Sequence, residues 1–288
     1  MTYFLALVSA LLYGAADFTG GVATRRAATI PVVVISQFSG MLLLALLLPV
    51  LPGAVPSRVD LWWGVLAGLT GGVGVALLYR ALAIGRMAVV APTTAVCAVA
   101  IPVVVSMLLG ERPGPLAVGG ILLGIVSIVL VSQQSDAPAG HPGAEAPRTF
   151  GLPPGVAMAL VSGVAIGFFF LTLAQTAPEG GMWPILAARL TSVTLFAVGA
   201  VAGRMSFRLP RPALALALGG GMVDMLANAA YLLAARQGPL SLVVTLSSLY
   251  PASTVLLARV VLGERLNARQ VGGVVCALGA IVLIVKGG

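Results

Sequence analysis

The sequence predicts an all-α integral membrane protein of about ten transmembrane helices in two inverted five-helix repeats. Composition, segment length and an internal repeat together carry that expectation. Hydrophobic residues fill 59% of the 288 positions and charged residues only 8%, where a soluble domain carries about 25% charge. The apolar runs suit a bilayer core of about 30 Å, which takes roughly 20 residues per helix, and no alternating strand pattern points to a barrel. The third observation is a duplication at an offset of 153 residues. Leu109-Gly110-Glu111-Arg112 returns as Leu262-Gly263-Glu264-Arg265, and Ala6-Leu7-Val8-Ser9 returns as Ala159-Leu160-Val161-Ser162. The same shift superposes Gly14 on Gly167, Pro31 on Pro184 and Gly85 on Gly238. An odd number of crossings per copy turns the second copy upside down, an arrangement that transporters use.

Breaks at Gly, Pro and Arg clusters divide residues 1–134 into five apolar segments, near 3–22, 31–51, 60–83, 88–109 and 115–132. The first lacks the charged leader of a signal peptide and carries Asp17 near its end, so it reads as a retained helix. The third holds Gly64, Gly68 and Gly72 on one face, and the fifth holds Gly120 and Gly124. In lipid such faces let helix backbones approach closely. Pro92 and Pro102 fall in the fourth segment, where a proline frees a carbonyl and bends the axis. Residues 135–154 are rich in Pro, Gly and Ala and hold the sole histidine, His141, which reads as a solvated residue of a flexible linker. Residues 155–288 give five more segments, near 155–175, 183–202, 212–235, 240–262 and 268–286. Gly163 and Gly167 form a small face on the sixth segment, and Pro251 interrupts the ninth.

The net charge of +8 does not point to nucleic acid, because no basic run exceeds two residues and the arginines stand at segment ends. Arg25, Arg26, Arg80, Arg86, Arg148, Arg204, Arg208, Arg211, Arg265 and Arg269 fall on the side opposite the termini. Arg58, Arg112, Arg236 and Lys286 fall on the terminal side. By the positive-inside rule that asymmetry sets the termini outside. Cys97 and Cys276 lie in apolar stretches without a second Cys or His nearby, which reads as packing and not as a disulfide or a metal site.

Ionisable groups inside apolar segments cost roughly 2.5–3.5 kcal/mol each at mid-helix, so each asks for a purpose. There are four: Asp17, Arg189, Asp224 and Arg259, the last close enough to its segment end to snorkel. Asp224, Asn228 and Tyr231 stand at i, i+4 and i+7 and share one face of the eighth segment. They are the first candidates for a substrate-lining wall or a proton-coupling site, with Asp17 and Arg189 next. Arg189 and Asp224 are equally candidates to pair with each other, which would count against either binding substrate directly. Tyr13, Gln37, Thr245, Ser248 and Tyr250 add hydrogen-bonding capacity, although Ser and Thr often bond back to their own helix. A buried polar network that only ties helices together is the competing reading.

Two five-segment copies, each with Leu-Gly-Glu-Arg between its fourth and fifth segments, resemble the EamA family of the drug/metabolite transporter superfamily. The stretch Gly263 to Gly279, GERLNARQVGGVVCALG, carries most of the resemblance, with Gly110 to Gly124 as its counterpart. Pro113-Gly114-Pro115 departs from the usual residues there. The resemblance implies a multi-pass protein of the cell membrane, a secondary transporter and exporter of a small metabolite such as an amino acid, working without ATP or other cofactor. It also implies termini in the cytoplasm, against the charge count. Protons are the candidate coupling ion, through Asp224 and then Asp17, since burial raises a carboxylate pKa. Consistently, no phosphate-binding GxxxxGK[ST] loop is present. A flippase of a lipid-linked sugar or other amphiphile is the alternative, and an intramembrane enzyme finds no nucleophile or metal constellation. Gly110, Glu111, Arg112, Gly263, Glu264 and Arg265 read as structural turns, either a loop ion pair or a helix cap, outside any substrate site. Monomer and homodimer both fit.

Overall fold

A computed structural model describes residues 2–51, 54–108, 114–132, 152–237, 246–247 and 249–287. Among them are ten α-helices: α1 Thr2–Arg26, α2 Thr29–Leu47, α3 Arg58–Ile84, α4 Met87–Leu108, α5 Pro115–Ser132, α6 Val156–Leu173, α7 Trp183–Ala202, α8 Arg211–Gln237, α9 Tyr250–Leu262 and α10 Ala268–Gly287. Seven of these are long and apolar enough to cross a membrane, and Met87–Ile101, Pro115–Ser127 and Tyr250–Leu262 are shorter apolar stretches. Large apolar side chains such as Phe4, Leu7 and Leu11 on α1 and Leu122, Ile125 and Val129 on α5 face outward. In lipid that exposure carries no penalty, and the interior is built largely from alanine, glycine and serine.

The 153-residue repeat is a two-fold axis in the fold. In α1, the Ser9 hydroxyl donates to the Ala227 carbonyl of α8 at 3.0 Å, and its repeat partner Ser162 in α6 donates to Gly74 of α3 at 2.7 Å. Thr94 of α4 donates to Ala159 of α6 at 3.2 Å, and its repeat partner Ser247 donates to Ala6 of α1 at 3.3 Å. Adding the offset to one residue of each bond and subtracting it from the other converts one bond into its twin. Only a two-fold rotation exchanges the halves in this way. The repeated Ala-Leu-Val-Ser is thereby explained, because its alanine carbonyl and its serine hydroxyl are both used, in both copies.

The direction of that axis follows from α5 and α10, which are repeat equivalents and lie against each other. Gly114 N–H donates to Gly287 at one end, and Ser127 donates to Gly273 at the other, so the two helices are antiparallel. The axis is therefore perpendicular to the helices, and the repeats are inverted. α1 lies antiparallel on α8 and parallel to α9, as α6 lies antiparallel on α3 and parallel to α4. Each half is packed mainly by the other.

Small residues permit these contacts. A Cβ on Gly68 of α3 would come within 2.8 Å of Ala188 Cα on α7, and one on its repeat partner Gly221 would strike the Ser36 backbone of α2. A Cβ on Gly163 would lie 2.5 Å from Cys97 Cβ, giving that cysteine a packing role. Gly119 and Gly272, also repeat partners, face open space, so the symmetry extends to the outer surface.

Two ends of the bundle can be distinguished. Arg25, Arg26, Arg80, Arg86, Arg204, Arg208, Arg211, Arg265 and Arg269 gather at one, the basic end, while Arg58 and Lys286 stand at the other. At the far end Ser57 and Asp60 form a capping box on α3, and the second Asp60 oxygen accepts the Ala177 N–H at 2.7 Å. At the basic end Asn267 and Gln270 cap α10 in the same reciprocal way, and Arg86 donates to Gln270 at 3.2 Å. Helix α9 is described from Tyr250, with Pro251 in its first turn; residues 240–245 and 248 of the expected segment 240–262 lie outside the described residues.

Symmetry makes two predictions. Ser9→Ala and Ser162→Ala should each lower stability by about 0.5–1 kcal/mol, and by matching amounts, in denaturant titrations of the protein in micelles. Gly68→Leu, with no room for a side chain against Ala188, should fail to give a monodisperse species in gel filtration.

Candidate functional site

Of the polar side chains predicted from the sequence, Gln37, Arg189 and Asp224 meet between α2, α7 and α8, and Tyr13 and Tyr250 meet between α1 and α9. The close crossings place them. Gly221 lets α8 press against Ser36, and Ser39 fastens the same crossing by donating to the Leu218 carbonyl at 2.9 Å. One turn further along α8 stands Asp224, and beside Ser36 on α2 stands Gln37. Gly68 similarly lets α3 close on α7 at Ala188, next to Arg189.

Arg189 is the hub. One terminal nitrogen donates to Gln37 Oε1 and the other to Asp224 Oδ2, an ion pair in which the side chains keep 13% and 24% of their surface accessible. The anticipated Arg189–Asp224 pair is thus present, and it engages the guanidinium on two sides. Asn228 donates first to the Asp224 backbone carbonyl at 2.7 Å and lies 3.5 Å from the carboxylate. It therefore braces its own helix as much as it faces the centre. Tyr231, two turns from Asp224, packs with Ala6, Ala234 and Leu246 toward α1.

A second group lies beside the first. The Tyr13 ring of α1 meets the Tyr250 ring of α9 edge to face, with centroids 6.2 Å apart. Tyr13 is within electrostatic range of Asp224, Tyr231, Arg189 and Asp17, and Tyr250 is within range of Asp17. Asp17 lies within electrostatic range of Asp224, a like charge, and among the described residues it has no hydrogen-bond or ion-pair partner. Tyr79 and Ser36 were not singled out from sequence. The Tyr79 hydroxyl is 3.4 Å from Ser36 Oγ, its ring covers Gly20, and it lies within range of Asp224 and Asp17. A tyrosine next to Arg80 resembles a segment-end residue, and nothing short of the fold shows it buried.

Thr245, Ser248, Gly110, Glu111 and Arg112 lie outside the described residues. Among the described residues no three of His, Cys, Asp or Glu cluster as a metal site would need.

Gly263, Glu264 and Arg265 sit at the basic end, away from this centre. Gly263 has φ +67°, and no atom lies near where its Cβ would be, so backbone conformation alone calls for glycine. That turn swings Glu264 across the bundle to the start of α4, where its two oxygens accept the N–H groups of Met87 and Ala88 at 3.1 Å. A carboxylate there satisfies orphan donors and meets the positive end of the helix dipole. Glu264 also bonds Arg25 at 3.3 Å, and Arg25 reaches the Leu82 and Gly85 carbonyls. Arg265 is exposed.

The chain matches the EamA-like transporter family twice, over residues 1–133 and 153–286. A solved crystal structure of a protein aligns with a TM-score of 0.60 at 17% identity, covering 98% of this chain and 95% of that one, which is a likeness of fold. No curated protein matches the sequence.

The geometry orders the effects of substitution at the hub. Arg189→Ala leaves Asp17 and Asp224 facing each other without a cation. It should destabilise by on the order of 3 kcal/mol, the low end for a broken buried pair because Asp224 stays partly accessible. Asp224→Ala should cost less, since Arg189 keeps Gln37 and gains Asp17 as its nearest anion. A chemical-denaturation series in micelles that ranked Asp224→Ala as the worse variant would contradict this charge arrangement.

Proposed function

The chain belongs to the EamA-like transporter family, and from that membership and its one-sided polar centre we propose a secondary active exporter of a small metabolite. In this reading ten helices cross the plasma membrane, and the two inverted repeats alternate access to a site between them. The carrying observation is the contrast between frame and centre. The Ser9/Ser162 and Thr94/Ser247 bonds and the Gly68/Gly221 crossings repeat across the axis, whereas Asp224, Arg189, Asp17 and Tyr79 have Gly71, Ser36, Phe170 and Leu232 as repeat partners. A frame kept symmetric serves motion, and groups present once serve a ligand.

Side-chain ties draw the helices together at the basic end. At the basic end Glu264, Arg25, Arg86, Gln270 and Asn267 join α1, α4, α9 and α10. Arg25, Arg86, Asn267 and Gln270 have Pro178, Pro239, Gly114 and Ala117 as repeat partners, while Glu264 repeats as Glu111, which lies outside the described residues. The basic end acts as a gate latched by side chains, and opening it costs these bonds. We assign the proton to Asp17, since Asp224 is paired with Arg189 while Asp17 has no cation partner among the described residues.

Proteoliposomes test this with a panel of labelled amino acids and other small metabolites under an imposed pH gradient. Saturable, gradient-driven uptake of at least one compound is expected. Asp17→Asn should abolish the response to pH, and Asp224→Asn should lower the rate while leaving the response. Undiminished coupling in both variants would sink the assignment of the proton site. Glu264→Ala, which unties the latch, should raise labelling of cysteines introduced near the basic end without abolishing folding.

A further inference from the structure

We propose that the loop between α7 and α8 binds the headgroup of an anionic phospholipid, with its arginines on the phosphate and its apolar residues among the acyl chains. Such a site is separate from transport and needs only that the helices cross a bilayer. Residues 204–211 read Arg-Met-Ser-Phe-Arg-Leu-Pro-Arg, three cations in eight positions with no acid among them. Arg204, Arg208 and Arg211 are exposed, and among the described residues their side chains have no hydrogen-bond or ion-pair partner. Glu264, the one acid at this end among the described residues, is already engaged by Arg25, Met87 and Ala88. Met205 and Phe207 stand exposed between the arginines. Guanidinium groups alone suit any phosphate, but large apolar side chains interleaved with them suit a phosphate that carries chains.

The place of the loop in the fold agrees with that ligand. Helix α2 packs on both α7 and α8, and Leu209 pins the loop against the cluster of Val32, Val33 and Tyr79. Beside the loop, Val198 and Val201 of α7 and Leu214 and Leu218 of α8 face outward. Arg211, Leu214 and Leu218 are spaced i, i+3 and i+7 and share one face of α8. That face offers apolar side chains at acyl depth and a guanidinium at headgroup depth. Backbone conformation singles out Arg204, the one non-glycine residue with positive φ among the described residues, at +51°. It closes α7 in a left-handed turn, where its N–H donates to Val201 at 3.0 Å and the Met205 N–H donates to Ala200 at 2.8 Å. Glycine is the usual residue there, so an arginine is kept against backbone strain. The repeat counterpart, residues 51–58, reads Leu-Pro-Gly-Ala-Val-Pro-Ser-Arg, in which only Arg211 has a cationic twin. The two-fold frame therefore does not call for Arg204, Arg208, Met205 or Phe207.

Photolabelling of the full chain in nanodiscs tests the proposal. The discs are phosphatidylcholine with a trace of phosphatidylglycerol that carries a photoactivatable group beside its phosphate. Cross-links should map within residues 198–218, and unlabelled phosphatidylglycerol should compete where added phosphatidylcholine and soluble glycerol 3-phosphate do not. Arg204→Gln, Arg208→Gln and Arg211→Gln should each lower labelling by about threefold to fivefold, the weight of one arginine at an anionic surface, and together by about tenfold or more. Arg204→Gly removes the charge and relieves the backbone, so it should label less while staying monodisperse, which separates lost recognition from lost folding. Arg259→Gln and Arg265→Gln, at the same end but outside the loop, should leave labelling unchanged. Cross-links elsewhere, equal competition by phosphatidylcholine or by glycerol 3-phosphate, or undiminished labelling in the triple variant would overturn the proposal. An equal loss in Arg259→Gln and Arg265→Gln would overturn it too, by showing a diffuse field of charge in place of a site. Flux in proteoliposomes is a separate measurement, so the transport reading fails or stands by its own assay.

Discussion

Hydrocarbon offers no reward for hiding one apolar helix against another, and the rest of this structure follows from that constraint. Helices that gain nothing by leaving lipid must be held by close contact and by polar groups that lipid cannot satisfy. Here both devices act at the same positions. Ser9, Ser162, Thr94 and Ser247 each give a hydroxyl to a carbonyl on a helix of the opposite half or on its symmetric counterpart. The glycines beside them bring the backbones near enough for those bonds to form. Bulk sits outside, in leucine and valine facing lipid, and the interior is correspondingly fine-grained.

A bundle held this way can be symmetric only where it is structural. Two-fold contacts have the same geometry in both copies, so a residue that serves one serves its twin, and Ala-Leu-Val-Ser persists in each. The polar centre lies where α2 and α7 meet near the axis. There an exact repeat would place like charges face to face: a second Arg189 would occupy position 36, next to Gln37, and a second Asp224 would occupy position 71. One arginine and one aspartate can neutralise each other across an axis, whereas doubled copies would raise the number of charges to be desolvated. The departure from the repeat therefore limits the number of charges that must be desolvated.

How far the sequence revealed this varies by residue. The duplication was legible because glycine, proline and charged turn residues survive in register, and the inversion followed from counting segments. The Arg189–Asp224 pair could be named but not chosen, since segments seven and eight show which side chains are buried and not which way they face. Gln37 stood in an undistinguished list until α2 was seen crossing α8. Tyr79 stands next to Arg80 and so resembles a segment-end residue, although the fold buries it. Glu264 was read as a turn residue, and it is one; its partners on α4, 177 and 176 residues away, belong to the other repeat and leave no local trace.

The Glu264 contact also connects the gate to the centre through covalent continuity. Its turn ends α9, and α9 begins at the broken segment that presents Tyr250 to Tyr13. Helix α1 carries Tyr13 and Asp17 in its middle and Arg25, the other partner of Glu264, at its end. Asp17 and Tyr250 therefore stand on the same two helices whose basic ends Glu264 and Arg25 tie together. Because α1 and α9 run parallel, joined by Ser247 to Ala6, by Ser253 to Ala10 and by Thr254 to Gly14, they shift as a pair against α4. The Glu264 bonds to Met87 and Ala88 cross between repeats, whereas its bond to Arg25 stays within the α1–α9 pair, so in the proposed transport cycle the two N–H bonds are the ones that opening of the basic end would break.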